Sequence, residues 1–153
     1  MPFDANLVLA DTTADWTYAN LVTPNTYGTP TSTTKNAGGF VVIDTLALGG
    51  LAAKGMCAVF IADETANAAG DALTLIIEGS DASDFSSGLE ALAAFGVDGA
   101  VGSGIIDGDE TPCTIVRLFS TNRRYIRCKA TVTSDDDFHT CQVFLAPWGY
   151  VTL

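Results

Sequence analysis

The sequence predicts an all-β protein, and three observations predict it. Asn122–Val132 alternates with a two-residue period: Ile126, Cys128, Ala130 and Val132 lie on one side, and Tyr125, Arg127, Lys129 and Thr131 on the other. Short apolar runs recur along the chain, each closed by Gly, Asp, Ser or Pro, the pattern of strands separated by turns. The composition is 48% hydrophobic and only 16% charged, with 15 glycines, which suits a core-forming chain with many turns. Together these argue for a β-sandwich or barrel. At 153 residues a single such domain is expected, hiding roughly 68–70% of its unfolded surface.

Residues 1–38 differ from the rest. Phe3–Leu9 is a short apolar piece, Trp16 and Tyr18 follow an acidic stretch, and 23–38 is rich in Thr, Asn and Gly with Pro24 and Pro30. This reads as an N-terminal arm and a long irregular loop. Phe3, Leu7, Leu9, Trp16 and Tyr18 are too apolar for free solvent, so the arm is expected to pack on its own sheet or on another subunit.

Residues 39–153 read as one β-sandwich. Its strand-like runs are Phe40–Thr45, Met56–Ala62, Leu73–Glu78, Cys113–Phe119, Tyr125–Thr133 and Cys141–Ala146. Leu46–Gly55, Thr65–Asp71 and Gly79–Ser87 connect them, and Ser134–Asp137 reads as a hairpin loop between the last two. Residues 96–110 hold five glycines and read as a flexible loop. The segment 89–95 stays open between two forms. Ser87 and Glu90 have capping-box spacing and Leu89–Phe95 is rich in Ala and Leu, which favours helix. As a strand it would set Leu89, Ala91, Ala93 and Phe95 on one face.

The charge limits the partners. A net charge of −11 disfavours nucleic acid, whose binding needs cations against phosphates, and disfavours an anionic membrane surface. No apolar run approaches the roughly 20 residues of a membrane span. The first residues lack the basic and apolar parts of a signal peptide, so synthesis in the cytosol is expected.

Chemistry has little to build on. His139 is the single histidine and sits beside Asp135–Asp137, so a hydrolase triad or a histidine-rich metal enzyme is not expected. Asp135, Asp136 and Asp137, or Asp107, Asp109 and Glu110, or Asp81 and Asp84, carry oxygens suited to a hard cation, but none has EF-hand spacing. They read as solvated turns. There is no phosphate-cradling glycine motif. Cys57, Cys113, Cys128 and Cys141 form no C-x-x-C pair and read as buried free thiols; a Cys128–Cys141 bridge across a hairpin is the alternative. The expectation is therefore no enzyme, no cofactor, no metal and no small-molecule substrate.

The basic residues are concentrated. Five of the chain's seven lie between Arg117 and Lys129. Arg127 and Lys129 either pair with acidic neighbours across the sheet, or Arg123, Arg124, Tyr125, Arg127 and Lys129 form a contact surface for another subunit, Tyr and Arg being the types that dominate interfaces.

Two segments carry a resemblance. Glu78-Gly-Ser-Asp-Ala-Ser-Asp-Phe-Ser-Ser87, a strand running into a turn, and Asn122-Arg-Arg-Tyr-Ile-Arg127, followed by Thr131-Val-Thr133, resemble segments of the tailed-phage capsid cement (decoration) proteins. Phe3-Asp4, Leu7, Leu9-Ala10-Asp11 and Val42-Ile43-Asp44 lie where that family has similar pieces, whereas the loop 23–38 and Trp148-Gly-Tyr150 depart from it. The resemblance implies a jelly-roll sandwich of about eight antiparallel strands with an extended N-terminal arm. It also implies a homotrimer that binds the outside of an icosahedral phage capsid and clamps neighbouring major capsid proteins. The alternative is a carbohydrate- or receptor-binding jelly roll on a phage surface or tail, with Trp16, Trp148 and Tyr150 stacking on sugar rings.

Overall fold

The computed structural model describes residues 7–11, 16–21, 27–48, 51–62, 72–98, 113–132 and 140–147. These residues form eight strands in two antiparallel sheets, with only short helical turns between them. The first sheet runs β1 (Val8–Ala10), β8 (Cys141–Pro147), β3 (Met56–Ala62), β6 (Cys113–Phe119). The second runs β2 (Ile43–Asp44), β7 (Tyr125–Val132), β4 (Ala72–Ser80), β5 (Glu90–Asp98). The pairing is nested: β4 with β5, β3 with β6, β2 with β7 and β1 with β8. Helix α1 is Tyr18–Leu21, and a 3-10 turn at Thr45–Leu48 and helix α2 at Leu51–Lys54 lie between β2 and β3.

The two-residue period of β7 is real. Ile126, Cys128, Ala130 and Val132 all enter the core, where they meet Leu73, Leu75 and Ile77 of β4 and Phe60 and Leu145 from the other sheet. Trp16 is buried between the sheets, its ring 5.0 Å from Phe40 and 6.2 Å from Phe60. The first sheet is apolar on its outer side too: Cys57, Val59, Phe144 and Ala146 form a second buried cluster there.

Two expectations change, and one open choice is settled. Of the two forms open for 89–95 the chain takes the strand, with residues 90–95 in β5. A bulge between Ile77 and Glu78 in the β4–β5 register resets the alternation, so Phe95 is buried while Ala91 and Leu89 are exposed. The run Phe40–Thr45 forms a strand only at Ile43–Asp44. The amides of Phe40, Val41 and Val42 are satisfied by Asn36 Oδ1, Leu9 O and Ser32 O instead of by a ladder. Finally, β7 and β8 are not a hairpin, since they lie in different sheets. Cys57, Cys128 and Cys141 are free, so the suggested Cys128–Cys141 bridge is absent. The Ser134–Asp137 loop, the 65–71 turn and most of 96–110 lie outside the described residues.

The described part of residues 1–38 belongs to the sandwich. β1 is a strand of the first sheet, and Leu9, Ala10, Trp16 and Leu21 are core residues. The loop 27–42 is ordered around Asn36, whose side chain donates to Tyr27 O at 3.1 Å and accepts from the Gly38 and Phe40 amides at 3.0 Å each. Lys35 pairs with Asp11 beside β1. The loop also closes the edge of β7 beyond the short β2: the Ala130 amide donates to Gly28 O at 2.7 Å. Only glycine fits at 28, since a Cβ would lie 2.4 Å from Ala130 O.

The two ends of the sandwich differ. The connections 63–71, 99–112 and 133–139 all join strand termini at the end marked by Ala62, Cys113, Cys141, Ala72, Asp98 and Val132. They hold nine Asp and Glu and no Lys or Arg. The opposite end carries α2, the turn after β4 and the β6–β7 connection, and with them Arg123 and Arg124.

Candidate functional site

The arginines at this second end have partners within the chain. Arg127 stands opposite Glu78 in the β7–β4 register, on the outer face of the second sheet. Its Nε and Nη2 each lie 2.8 Å from Glu78 Oε2, and Nη1 donates to Pro30 O at 3.1 Å. The guanidinium also lies over the Phe85 ring, 4.2 Å from its centroid. The loop at Pro30 and the turn at Phe85 therefore cover the pair, leaving Arg127 5% and Glu78 8% exposed.

The turn is shaped for that role. Ser80 Oγ donates to Ser87 O at 2.7 Å and accepts from the Ala82 amide at 3.0 Å. Phe85 sits at φ 56°, a left-handed conformation unusual for an aromatic residue, and its side chain is buried. Strain of order 1–3 kcal/mol at such a residue persists only where the surroundings hold it, and here the hold is the Arg127 stack.

Arg123 and Arg124 form a second, more open group. Arg123 Nη1 lies 2.7 Å from Asp81 Oδ2, and its Nε lies 2.9 Å from Glu90 Oε2. Arg124 pairs with Asp44 at 3.1 Å, lies over the Tyr125 ring at 4.9 Å, and donates its backbone amide to Asp81 Oδ1 at 3.2 Å. The Arg123 side chain, then the Arg124 amide, hold the Asp81 carboxyl below its ordinary value, and hydrogen bonding to Arg124 does the same for Asp44. Beside Arg123 opens a polar cleft of about 340 Å³ lined by Asp81, Glu90, Ser120, Thr121 and Asn122, with Ala53 at its edge.

The two segments that carry the family resemblance thus meet as one unit: Glu78 on Arg127, Asp81 on Arg123 and on the Arg124 amide, Phe85 under Arg127. Of the two options for the basic strand, the in-chain pairing accounts for Arg123, Arg124 and Arg127. Tyr125 is half-buried, and Lys129 has no ion pair among the described residues. Of the arm candidates, Leu9 and Trp16 are in the core and Leu7 packs against it. Phe3 and the Tyr18 side chain lie outside what the structure describes. Nothing in the local sequence marks Phe85, Pro30 or Asn36 for this role. The Glu78 to Arg127 register was not visible either, because nothing in local sequence says which strand is the neighbour.

No protein-family model matches the chain, and no curated protein matches its sequence.

Proposed function

We propose that the chain is a structural virion protein, a jelly-roll cement protein that binds the outside of an icosahedral phage capsid as a homotrimer and reinforces contacts between major capsid proteins. The observation that carries this reading is the joining of the Glu78–Ser87 and Asn122–Arg127 segments into one ion-paired block, since these are the segments that resemble the cement proteins. The strand orders β1-β8-β3-β6 and β2-β7-β4-β5 support the jelly roll, because rolling up a long hairpin with nested pairs yields them. A sandwich clamped by a buried ion pair and closed by an ordered loop suits a load-bearing role. Three copies holding one shell gain from avidity, so each contact can be weak. On this reading the protein is made in the host cytoplasm, resides on the capsid exterior, and needs no cofactor, metal or substrate.

The test is direct. Purified capsids imaged with and without the protein, then heated, should show added surface density and a higher rupture temperature. Failure to bind capsids would refute the role. The second reading, a carbohydrate-binding module, finds support in the polar cleft beside Arg123, whose carboxylates and amide suit sugar hydroxyls. Trp16 no longer supports it, being buried in the core. A glycan array with and without Asn122→Ala separates the two.

A further inference from the structure

The end of the sandwich opposite the acidic connections carries a set of features that its internal pairs do not explain. The large hydrophobic residues left exposed among those described are Leu46, Leu89 and Leu118, at 69%, 55% and 49%. All three gather at this end. Leu46 follows β2, Leu89 precedes β5, and Leu118 stands beside Cys57 one residue before β6 ends. The cleft beside Arg123 opens among the same turns.

Two charges here are also unspent. Lys54 at the end of α2 is exposed and has no ion pair among the described residues. Asp84 in the turn after β4 is exposed and has no ion pair among the described residues, its carboxylate accepting from the Ser86 side chain and from the Ser86 amide at 3.0 Å. Both lie on connections that also supply residues to the cleft, Lys54 next to Ala53 and Asp84 three residues beyond Asp81. Among the described residues, the neighbouring charges are matched: Arg123 to Asp81 and Glu90, Arg124 to Asp44.

We propose that this end is where copies of the chain meet, with Lys54 of one copy pairing with Asp84 of the next and the three leucines supplying apolar contact. The proposal names the surface behind the homo-oligomer part of the reading above and rests on that part alone. A second copy is the occupant the charges favour. A cation and an anion without in-chain ion pairs at the same end can pair from one copy to the next, and in a closed ring that pair forms once per copy. Exposed leucines around a polar cleft give the mixed apolar and polar patch that specific interfaces show.

Sedimentation velocity on the full chain, without capsids, across a concentration series, tests this. Wild type should self-associate. Lys54→Glu and Asp84→Lys should each raise the dissociation constant about tenfold. The double swap Lys54→Glu/Asp84→Lys should return it toward wild type, which a merely structural effect of either change would not do. Leu46→Glu should weaken association about tenfold or more, while Thr114→Ala, exposed near the far end of β6, should not weaken it. Thermal melts establish that each variant folds. A wild type that stays monomeric throughout, or an oligomer indifferent to the Lys54, Asp84 and Leu46 changes, or a double swap as weak as the singles, would each overturn the proposal. Capsid pelleting is scored separately, so a protein that self-associates but ignores capsids refutes the cement role and leaves this interface standing.

Discussion

Removing Arg127 should be among the most damaging single changes this chain can suffer. Arg127→Ala leaves the Glu78 carboxylate in a nearly closed site, 8% exposed, without its cation. Breaking one half of a buried pair costs about 3–5 kcal/mol, most of it the penalty of the stranded charge. Two further losses act in the same direction: the hydrogen bond to Pro30 O, and the stack on Phe85 that holds a residue at positive φ. For a domain of this size each kcal/mol moves the melting temperature by roughly 2–4 °C, so a fall of about 6–20 °C is expected.

Equilibrium unfolding in guanidinium, followed by the fluorescence of buried Trp16, measures the free energy directly. The informative partner is the double variant Glu78→Leu/Arg127→Met, which removes both charges and keeps the volume. It should recover to within about 1–2 kcal/mol of wild type, because an apolar pair avoids the desolvation that the ion pair must offset. Arg123→Ala, whose carboxylate partners are open to water, should cost far less. If Arg127→Ala loses under about 1 kcal/mol, or if the double variant is no better than the single, the pair is solvated and the clamp reasoning fails.

Gly28→Ala should destabilise the fold by about 1–3 kcal/mol through overpacking against Ala130 O, and hydrogen exchange should report it as faster exchange of the Ala130 amide. Trp16 Nε1 is buried without a hydrogen-bond partner among the described residues, so Trp16→Phe should stay within about 1 kcal/mol of wild type while Trp16→Ala costs about 3–5 kcal/mol by thermal melt. Asp44, Asp81 and Asp84 have folded pKa values below the ordinary 3.8, so the unfolded chain binds more protons there than the folded one. Their contribution is complete above that value and drains as pH falls through the lower folded values. Urea midpoints should therefore hold steady down to about pH 5 and decline below about pH 4, with a shallower decline in Asp81→Asn.

Much of this architecture was legible because burial imposes a period. β3 and β6 begin and end where alternation and turn residues placed them, and the apolar side of β7 was assigned residue by residue. What stayed open or failed were features decided by neighbours distant in sequence. Glu90 sits at capping-box spacing from Ser87, yet its carboxylate goes to Arg123 and its backbone to Gly79, so tertiary pairing overrode helix propensity. Phe40–Val42 is as apolar as any strand here, but the loop around Asn36 supplies its hydrogen bonds. Successive strands β7 and β8 looked like a hairpin because adjacency in sequence is the commonest cause of pairing, and the nested order broke that rule. The site was half legible. Clustered arginines were obvious, but whether they face a partner or their own carboxylates depends on register, which local sequence does not encode.

That register also decides how copies can associate. A sandwich exposes four sheet edges, each a template for unwanted strand pairing. Here β1 has three residues and β2 two, and residue 28 occupies the edge of β7 that β2 leaves uncovered. On the other side, Arg117 of the edge strand β6 pairs in register with Ala58, a core residue, so its side chain shares the inward face. Its guanidinium lies 5.7 Å from the Phe95 ring on β5, across the gap between the sheets. An inward-pointing charge on an edge strand is a known barrier to strand addition. Three of the four edges are thus short, capped or charged, while the fourth, β5, is a nine-residue strand. Where strand pairing is blocked, contact is left to side chains, as at the end that holds Leu46, Leu89, Leu118, Lys54 and Asp84. Arg117→Val tests the barrier: by removing the inward charge it should convert discrete oligomers into continuing aggregates, seen by light scattering. An Arg117→Val protein that keeps the wild-type size distribution would show that the edge needs no guard.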